Sequence, residues 1–326
     1  MINLETKYMG LELQSPIIVG SCGLTAKVEK IKEFEEQGAG AIVLKSIFEE
    51  EIQQEFEQIL EQEPSDSGRD EYLDYLDLRI REERITKYLT LIKKAKQESK
   101  LPIIASINCY SLYEWKNFAR EIQNAGADGL ELNIYIPPSE SLGNKNHTED
   151  LYLKVVQKIK KELRIPVSLK LSPYFTQLSH FLTKLDKEKV DGLVLFSKFY
   201  QPDIDLQTLQ IKPFDALTPQ NNYTLPLRWI AINSGRVSCD LVASSGIDDG
   251  AKAIKMILAG AAAIQIVSPL YKDKGIVIPG MLEEIKQWMK KHNYNKIDDI
   301  KGILSQKEIS NPILYERVQF MRYFSK

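Results

Sequence analysis

Eight times along this chain a short apolar run ends in polar residues and gives way to a helical pattern. The runs are Ile17–Val19, Ala41–Leu44, Pro102–Asn108, Gly129–Ile134, Val167–Leu171, Gly192–Ser197, Leu241–Ser244 and Ala262–Ile266. Between them lie helical spacings near residues 26–37, 115–124, 149–163, 176–187, 227–235 and 249–259. Alternation of this kind over about 270 residues predicts an α/β (β/α)8 barrel, its parallel strands buried on both faces. Two short strands around Gly10 predict a hairpin in front, placed to plug the barrel's lower end. A helical insertion follows the second strand, and residues 280–291 and 312–323 read as terminal helices. A doubly wound sheet is the competing arrangement, but no Gly-x-Gly-x-x-Gly follows a strand here.

Composition narrows the function classes. The 326 residues read as one domain, 1–326, with 43% hydrophobic and 27% charged residues and a net charge of −2. That balance predicts no nucleic-acid partner, and no apolar run reaches the roughly 20 residues of a membrane helix. The N-terminal residues lack the basic-then-apolar pattern of a secretory signal, so a cytoplasmic location is expected. Cys22, Cys109 and Cys239 are odd in number and widely spaced, which argues against a disulfide framework. With no CxxC and with His147, His180 and His292 scattered, no metal site is expected.

Polar residues at the carboxyl ends of barrel strands face the catalytic mouth. Gly129–Ile134 alternates so that Glu131 and Asn133 share one face, and Pro137-Pro138 then break the strand. An asparagine donates and accepts, so Asn133 can read a planar heterocycle, or it can simply tie down the following loop. Lys45 and Lys170 each end a buried strand, where an ammonium needs an anionic partner unless its stem snorkels to solvent. Ser244-Ser245-Gly246-Ile247, and Ala259-Gly260-Ala261 before a strand that runs on to Val267-Ser268, carry small residues suited either to a phosphate or to ordinary turns. A helix N-terminus beside the first of them would help hold the anion. Gly20-Ser21 similarly lets a ligand approach the backbone. Together with Asn108, these features point to a phosphorylated, electron-accepting cofactor. Residues 49–83 hold fourteen Asp or Glu against three Arg, which reads as an exposed helical insertion or as an acidic recognition surface.

Five stretches in this order and spacing resemble the dihydroorotate dehydrogenase family of FMN-dependent barrels, from about residue 3 to residue 275. They are Ser15-Pro16-Ile17-Ile18-Val19-Gly20-Ser21, Gly40-Ala41-Ile42-Val43-Leu44-Lys45-Ser46, residues 126–134, residues 166–173 and Gly260-Ala261-Ala262-Ala263-Ile264-Gln265-Ile266. The resemblance implies that FMN lies against Gly20, Ser21, Lys45, Ser46, Asn108, Asn133 and Lys170. It puts Ser245, Gly246, Val267 and Ser268 at the phosphate. Lys170 would offset negative charge on the reduced ring, and Lys45 would also meet the substrate. Lys45, Asn133, Tyr135 and Ser197 are the implied catalytic set.

The departures from the family are concentrated at the substrate. Its loop after the fourth strand runs Asn-x-Ser-Cys-Pro-Asn, with Cys or Ser as general base, whereas this chain has Ile136 and Pro138 there. Ser197 replaces an expected Asn, and Ile47-Phe48-Glu49-Glu50-Glu51 replaces a loop that ends in Arg. Ser245 and Val267 stand where the phosphate turns usually have Gly. Bases that could substitute are Tyr135, Tyr174, Tyr200 and Lys198, and Cys109 is expected to be structural. The implied function is an FMN-dependent oxidoreductase passing hydride from a dihydropyrimidine-like small-molecule substrate to flavin N5. The alternative is a flavin-binding electron-transfer or regulatory protein with a redox partner and no dihydroorotate turnover. A flavin-free phosphosugar or synthase barrel would leave Lys45 and Asn133 without a role. A homodimer is expected from the resemblance.

Overall fold

The computed structural model describes residues 2–317 except 49–50, 52–53, 56–57, 60–68, 110–114, 135–147, 199–200, 214–216, 218–219 and 273–275. The chain opens with an antiparallel hairpin of β1 (Thr6–Tyr8) and β2 (Leu11–Leu13). Its turn, Met9-Gly10, has φ of +53° and +75°, the left-handed pair that matches the twist of a tight hairpin.

Eight parallel strand positions then close on themselves. They are β3 (Ile17–Val19), β4 (Ala41–Val43), β6 (Ile103–Cys109), β7 (Gly129–Ile134), β8 (Val167–Leu171), β9 (Gly192–Leu195), β12 (Asp240–Ser244) and β13 (Ala263–Ile266). β13 pairs with β3, and β4 pairs with β6, so the ring is complete. The second position is broken: the strand is interrupted between Val43 and Ile47 and resumes against β6 as β5 (Ile47–Phe48). All eight predicted strands are therefore present.

Side-chain alternation explains why the ring buries both faces. One cluster contains Ile17, Ile42, Ile103, Leu130, Leu169, Leu193, Leu241 and Ile264, which point outward against the helices. A separate cluster contains Ile18, Ala41, Val43, Ile104, Val194, Val242 and Ala263, which point inward and meet Tyr8, Met9 and Leu13 of the hairpin. The hairpin is the plug that its sequence predicts, and the apolar interior it covers lies at the lower end.

Outside the ring run α1 (Val28–Glu36), α2 (Arg69–Glu98), α3 (Trp115–Asn124), α4 (Thr148–Glu162), α5 (Leu178–Lys187), α6 (Thr224–Asn233), α7 (Gly250–Ala259), α8 (Ser268–Lys272) and α9 (Val277–Lys291). The 30-residue α2 contains no Gly or Pro, and Tyr88, Ile92 and Ala95 give it a buried stripe at helical spacing. It is the helical insertion continued into the barrel's own helix.

One element was not expected and two expectations need correction. The connection after β9, which contains Pro202 and Pro213, forms a second hairpin, β10 (Pro202–Asp205) with β11 (Gln210–Pro213). Its prolines sit at the ends of a two-stranded ribbon, where a missing N–H costs little. The final helix expected at 312–323 is a 3-10 turn at Pro312–Tyr315, and residues 318–326 lie outside the described residues. Gly260 is no part of a phosphate turn. It caps α7 in the left-handed conformation, φ +117°, at the lower end of β13, where an added Cβ would meet Ser234 at 2.4 Å.

Candidate active site

Above the apolar layer the inward positions turn polar. In β7 the sequence order Glu131, Leu132, Asn133 sends the acid and the amide inward and the leucine outward, by strand periodicity alone. In β8 the inward residues are Ser168 and then Lys170, and in β13 the inward polar residue is Gln265. These side chains meet: Lys170 Nζ donates to Gln265 Oε1 at 2.5 Å, and Gln265 Nε2 donates to Glu131 Oε2 at 2.7 Å. Glu131 is only 1% exposed, and its Oε1 is buried without a hydrogen-bond partner.

A cavity of about 260 Å³ opens on this network at the carboxyl ends of the strands. Ser21, Ser46, Asn133, Lys170, Ser197, Ser245, Gly246, Val267 and Ser268 all line it, nine of the residues singled out from the sequence. Ser21 and Ser46 are joined Oγ to Oγ at 2.9 Å, and Ser46 Oγ lies 2.7 Å from Ser106 Oγ. Ser106 is anchored from outside, since Tyr88 OH of α2 bonds both its N–H and its carbonyl. Burial of that phenol raises its pKa, so it stays a neutral donor and acceptor. Ser197 Oγ reaches Asn133 Oδ1 at 3.3 Å.

At the other end of the cavity lies the turn after β12. Ser245 and Gly246 both have positive φ, +83° and +73°, so the chain makes a tight left-handed turn there. Ser245 adopts this strained region with its hydroxyl bonded to the Phe196 carbonyl at 3.1 Å. At Gly246 a Cβ would fall 2.5 Å from the Tyr223 amide nitrogen, so no side chain fits. The helix that follows offers less than its sequence position suggests. Gly250 N–H donates to Glu284 at 2.9 Å and Lys252 N–H to Asp249 at 2.7 Å, so the chain's own carboxylates cap it. The turn lies at the end of the cavity that Lys198, Asp248 and Lys272 also line.

The remaining sequence-derived residues lie beside the cavity. Gly20 backs its wall, a Cβ there being 2.8 Å from Val267 and 3.0 Å from Gln265. Asn108 is half-buried and lies opposite Asn133 in the β6–β7 register. Lys45 turns its Nζ to both oxygens of Glu51, at 3.2 and 3.3 Å. Lys198 lines the cavity, whereas Tyr174 is 69% exposed. Tyr135, Ile136, Pro138 and Tyr200 lie outside the described residues, as does the side chain of Cys109.

Sequence reasoning overlooked Gln265 as a site residue, and it assigned Glu131 a face but no role. The signal was available, because each is a polar residue flanked by apolar ones in a fully buried strand. Asp248 also lines the cavity without having been singled out, beside Ser244 of the expected phosphate stretch and Phe48. Among the described residues there is no cluster of three His, Cys, Asp or Glu able to hold a metal. No helix among them is long and apolar enough to cross a membrane.

Comparison with known proteins agrees with this architecture. The family model for dihydroorotate dehydrogenase matches residues 3–289. The catalytic subunit of dihydroorotate dehydrogenase B (NAD(+)) from Thermoplasma volcanium is 26% identical over 320 residues, covering 93% of this chain and 99% of its own. The protein of the same name from Thermoplasma acidophilum is 25% identical, again covering 93% and 99%. That from Methanocaldococcus jannaschii is 24% identical, covering 92% and 97%. With the eight-stranded barrel and the polar cavity at its strand ends, the match leaves one assignment: the chain belongs to the dihydroorotate dehydrogenase family of oxidoreductases.

Proposed function

We propose that this chain is an FMN-dependent oxidoreductase that takes a hydride from the CH–CH group of a dihydropyrimidine-like substrate. The observation that carries this reading is one cavity with two chemically distinct ends. A buried Lys170–Gln265–Glu131 network and the Asn133–Ser197 pair lie at one end, and the positive-φ Ser245–Gly246 turn lies at the other. That donor set fits a phosphorylated heterocycle: amide and hydroxyl groups for a ring edge, a cation beside it, and backbone amides for the phosphate. Bound there, FMN would supply the hydride acceptor.

The chain's own residues would do the rest. Lys170 would place a compact positive charge where the ring gains electron density. Asn133, Ser21 and Ser46 would orient the ring edge, and Asn108 would support Asn133 from the neighbouring strand. Gly246, Ser245, Val267 and Ser268 would hold the phosphate. Lys45 and Ser197 would meet the substrate, and the proton would go to a residue other than Ile136, with Tyr135 and Tyr200 the first to test. The relatives named above are catalytic subunits, and a redox partner subunit taking the electrons onward is proposed by analogy. We further propose that 1–326 is a single domain that forms a homodimer in the cytoplasm.

The alternative, a flavin-binding electron-transfer or regulatory protein, draws on a specific observation. Lys45 is neutralised by Glu51 of the acidic segment, and such surfaces can steer redox partners. Anaerobic mixing of the FMN-reconstituted chain with a panel of dihydropyrimidines separates the two. Bleaching of the flavin at catalytic rates is the expected result. Bound flavin that none of them bleaches selects the alternative, and failure to take up FMN overturns both.

A further inference from the structure

The acid beneath Lys170 has no role in the reaction as proposed, yet its surroundings are specific. Glu131 shares a layer of the barrel with Ser106, Ser168 and Gly192, which follow one another around the ring in register. Below it, Tyr8 of the plug enters where Gly192 has no side chain, since a Cβ there would lie 2.9 Å from the Tyr8 hydroxyl. Tyr8 OH and Ser168 Oγ are buried beside it, and Glu131 Oε1 has no hydrogen-bond partner. The acid thus has the plug beneath it and the cavity it lines above.

An ionised carboxylate can only accept hydrogen bonds, while a primary amide has one donating and one accepting end. As an acceptor, Glu131 Oε2 takes its bond from Gln265 Nε2 at 2.7 Å, which turns the NH2 group downward. The amide oxygen then has to face Lys170, as it does at 2.5 Å. With a neutral amide at position 131, Gln265 could turn over and present its NH2 group to the ammonium. We propose that Glu131 is a positioning residue: acting through Gln265, it dictates the sense of that amide and thereby holds the Lys170 ammonium at the cavity floor. The relay also keeps the acid from pairing directly with Lys170, so the lysine's charge stays available to a ligand.

The test has one arm that needs no flavin and one that rests on the FMN reading. In the full chain without FMN, Lys170 is labelled with acetic anhydride and followed by peptide mass spectrometry. Lys96, paired with Asp128 at 2.7 Å on the outer surface, is the internal reference. Glu131→Gln, which keeps the shape and removes the charge, should raise Lys170 labelling about tenfold, the weight of one charge-assisted hydrogen bond. Gln265→Met, which removes the relay, should do the same and decides the matter if Glu131→Gln does not fold. Unchanged labelling in the folded variant overturns the proposal.

With FMN bound, Glu131→Gln should lower the flavin midpoint potential by about 30 mV, tenfold for a two-electron couple. Lys170→Ala should lower it at least as far, and the double variant no further than Lys170→Ala alone. A full additive shift in the double variant would mean that Glu131 acts independently of the lysine, which refutes the relay. If labelling responds but no FMN binds, the flavin reading fails while the anchoring of Lys170 stands.

Discussion

Lys170 and Lys45 both stand at the ends of barrel strands, and they are held in opposite ways. Lys170 bonds a neutral amide whose other end grips a buried carboxylate, all within the closed ring. Lys45 meets a carboxylate directly: Glu51 lies 3.2 Å away, and the two side chains are 39% and 40% exposed. Glu51 belongs to the acidic insertion, and Arg84 of α2 lies 4.0 Å from it while pairing with Glu55 at 2.6 Å. An amide relay orients an ammonium without cancelling its charge, whereas a direct ion pair neutralises it. The half-exposed pair is screened by solvent and worth about 1 kcal/mol or less. Geometry set by the barrel is therefore stiff at one lysine and negotiable at the other.

The comparison can be broken most severely from below. Gly192→Ala would drive a Cβ to 2.6 Å from the Tyr8 ring, lifting the plug away from the layer that contains Glu131. Urea unfolding should show a loss of about 3 kcal/mol, as expected for overpacking in a closed core. An unchanged midpoint would mean that the hairpin yields freely and is no plug.

Lys170→Ala tests the stiff side directly. It should weaken FMN binding about tenfold or more, read by fluorescence titration, since a charge-assisted contact and the amide's donor are lost together. Lys170→Arg should restore only part, because the planar fork does not reproduce a compact ammonium. Equal affinity in all three proteins removes Lys170 from the ring site.

Ile136→Cys restores the family's base at a position the described residues do not include. The gain in flavin reduction by dihydroorotate should be a few-fold at most and should grow toward alkaline pH. A thiol is a competent base only when ionised, and its ordinary pKa is about 8.5. Brisk turnover by the wild-type chain, unaffected by the substitution, would direct attention to Tyr135 and Tyr200.

The smallest effect belongs to the negotiable side. Glu51→Gln should speed flavin reduction by dihydroorotate, whose carboxylate is anionic, about twofold at low salt, because Lys45 is no longer neutralised. The difference should vanish near 1 M salt, where the Debye length is about 3 Å. A salt-independent gain would show that Glu51 acts by blocking the entrance rather than by charge.

Legibility followed the range of the forces involved. The strands were readable because burial on both faces demands runs such as Ala41–Val43 and Val167–Leu171, and periodicity within a run is local. Nine site residues were readable because strand ends in a barrel converge whatever their identity. The second hairpin, with Ile204, Leu206, Leu209 and Ile211 all exposed, was not readable, since its apolar residues cover no core and its prolines masked the ribbon. The capping of α7 by Glu284 was not readable either, as it joins residues 34 apart.

What the sequence alone determined was the period of two along each strand, and with it which residues face inward. Glu131 was placed on one face of its strand and Lys170 at the end of another, and the same alternation, unused in the sequence reading, puts Gln265 inward. That they form one chain of bonds was decided only by the tertiary structure. Gln265 lies 134 residues from Glu131 and 95 from Lys170, and their meeting depends on ring closure and on the stagger between strands. Pleat direction is a property of a few residues, whereas register around a closed sheet is a property of the whole ring.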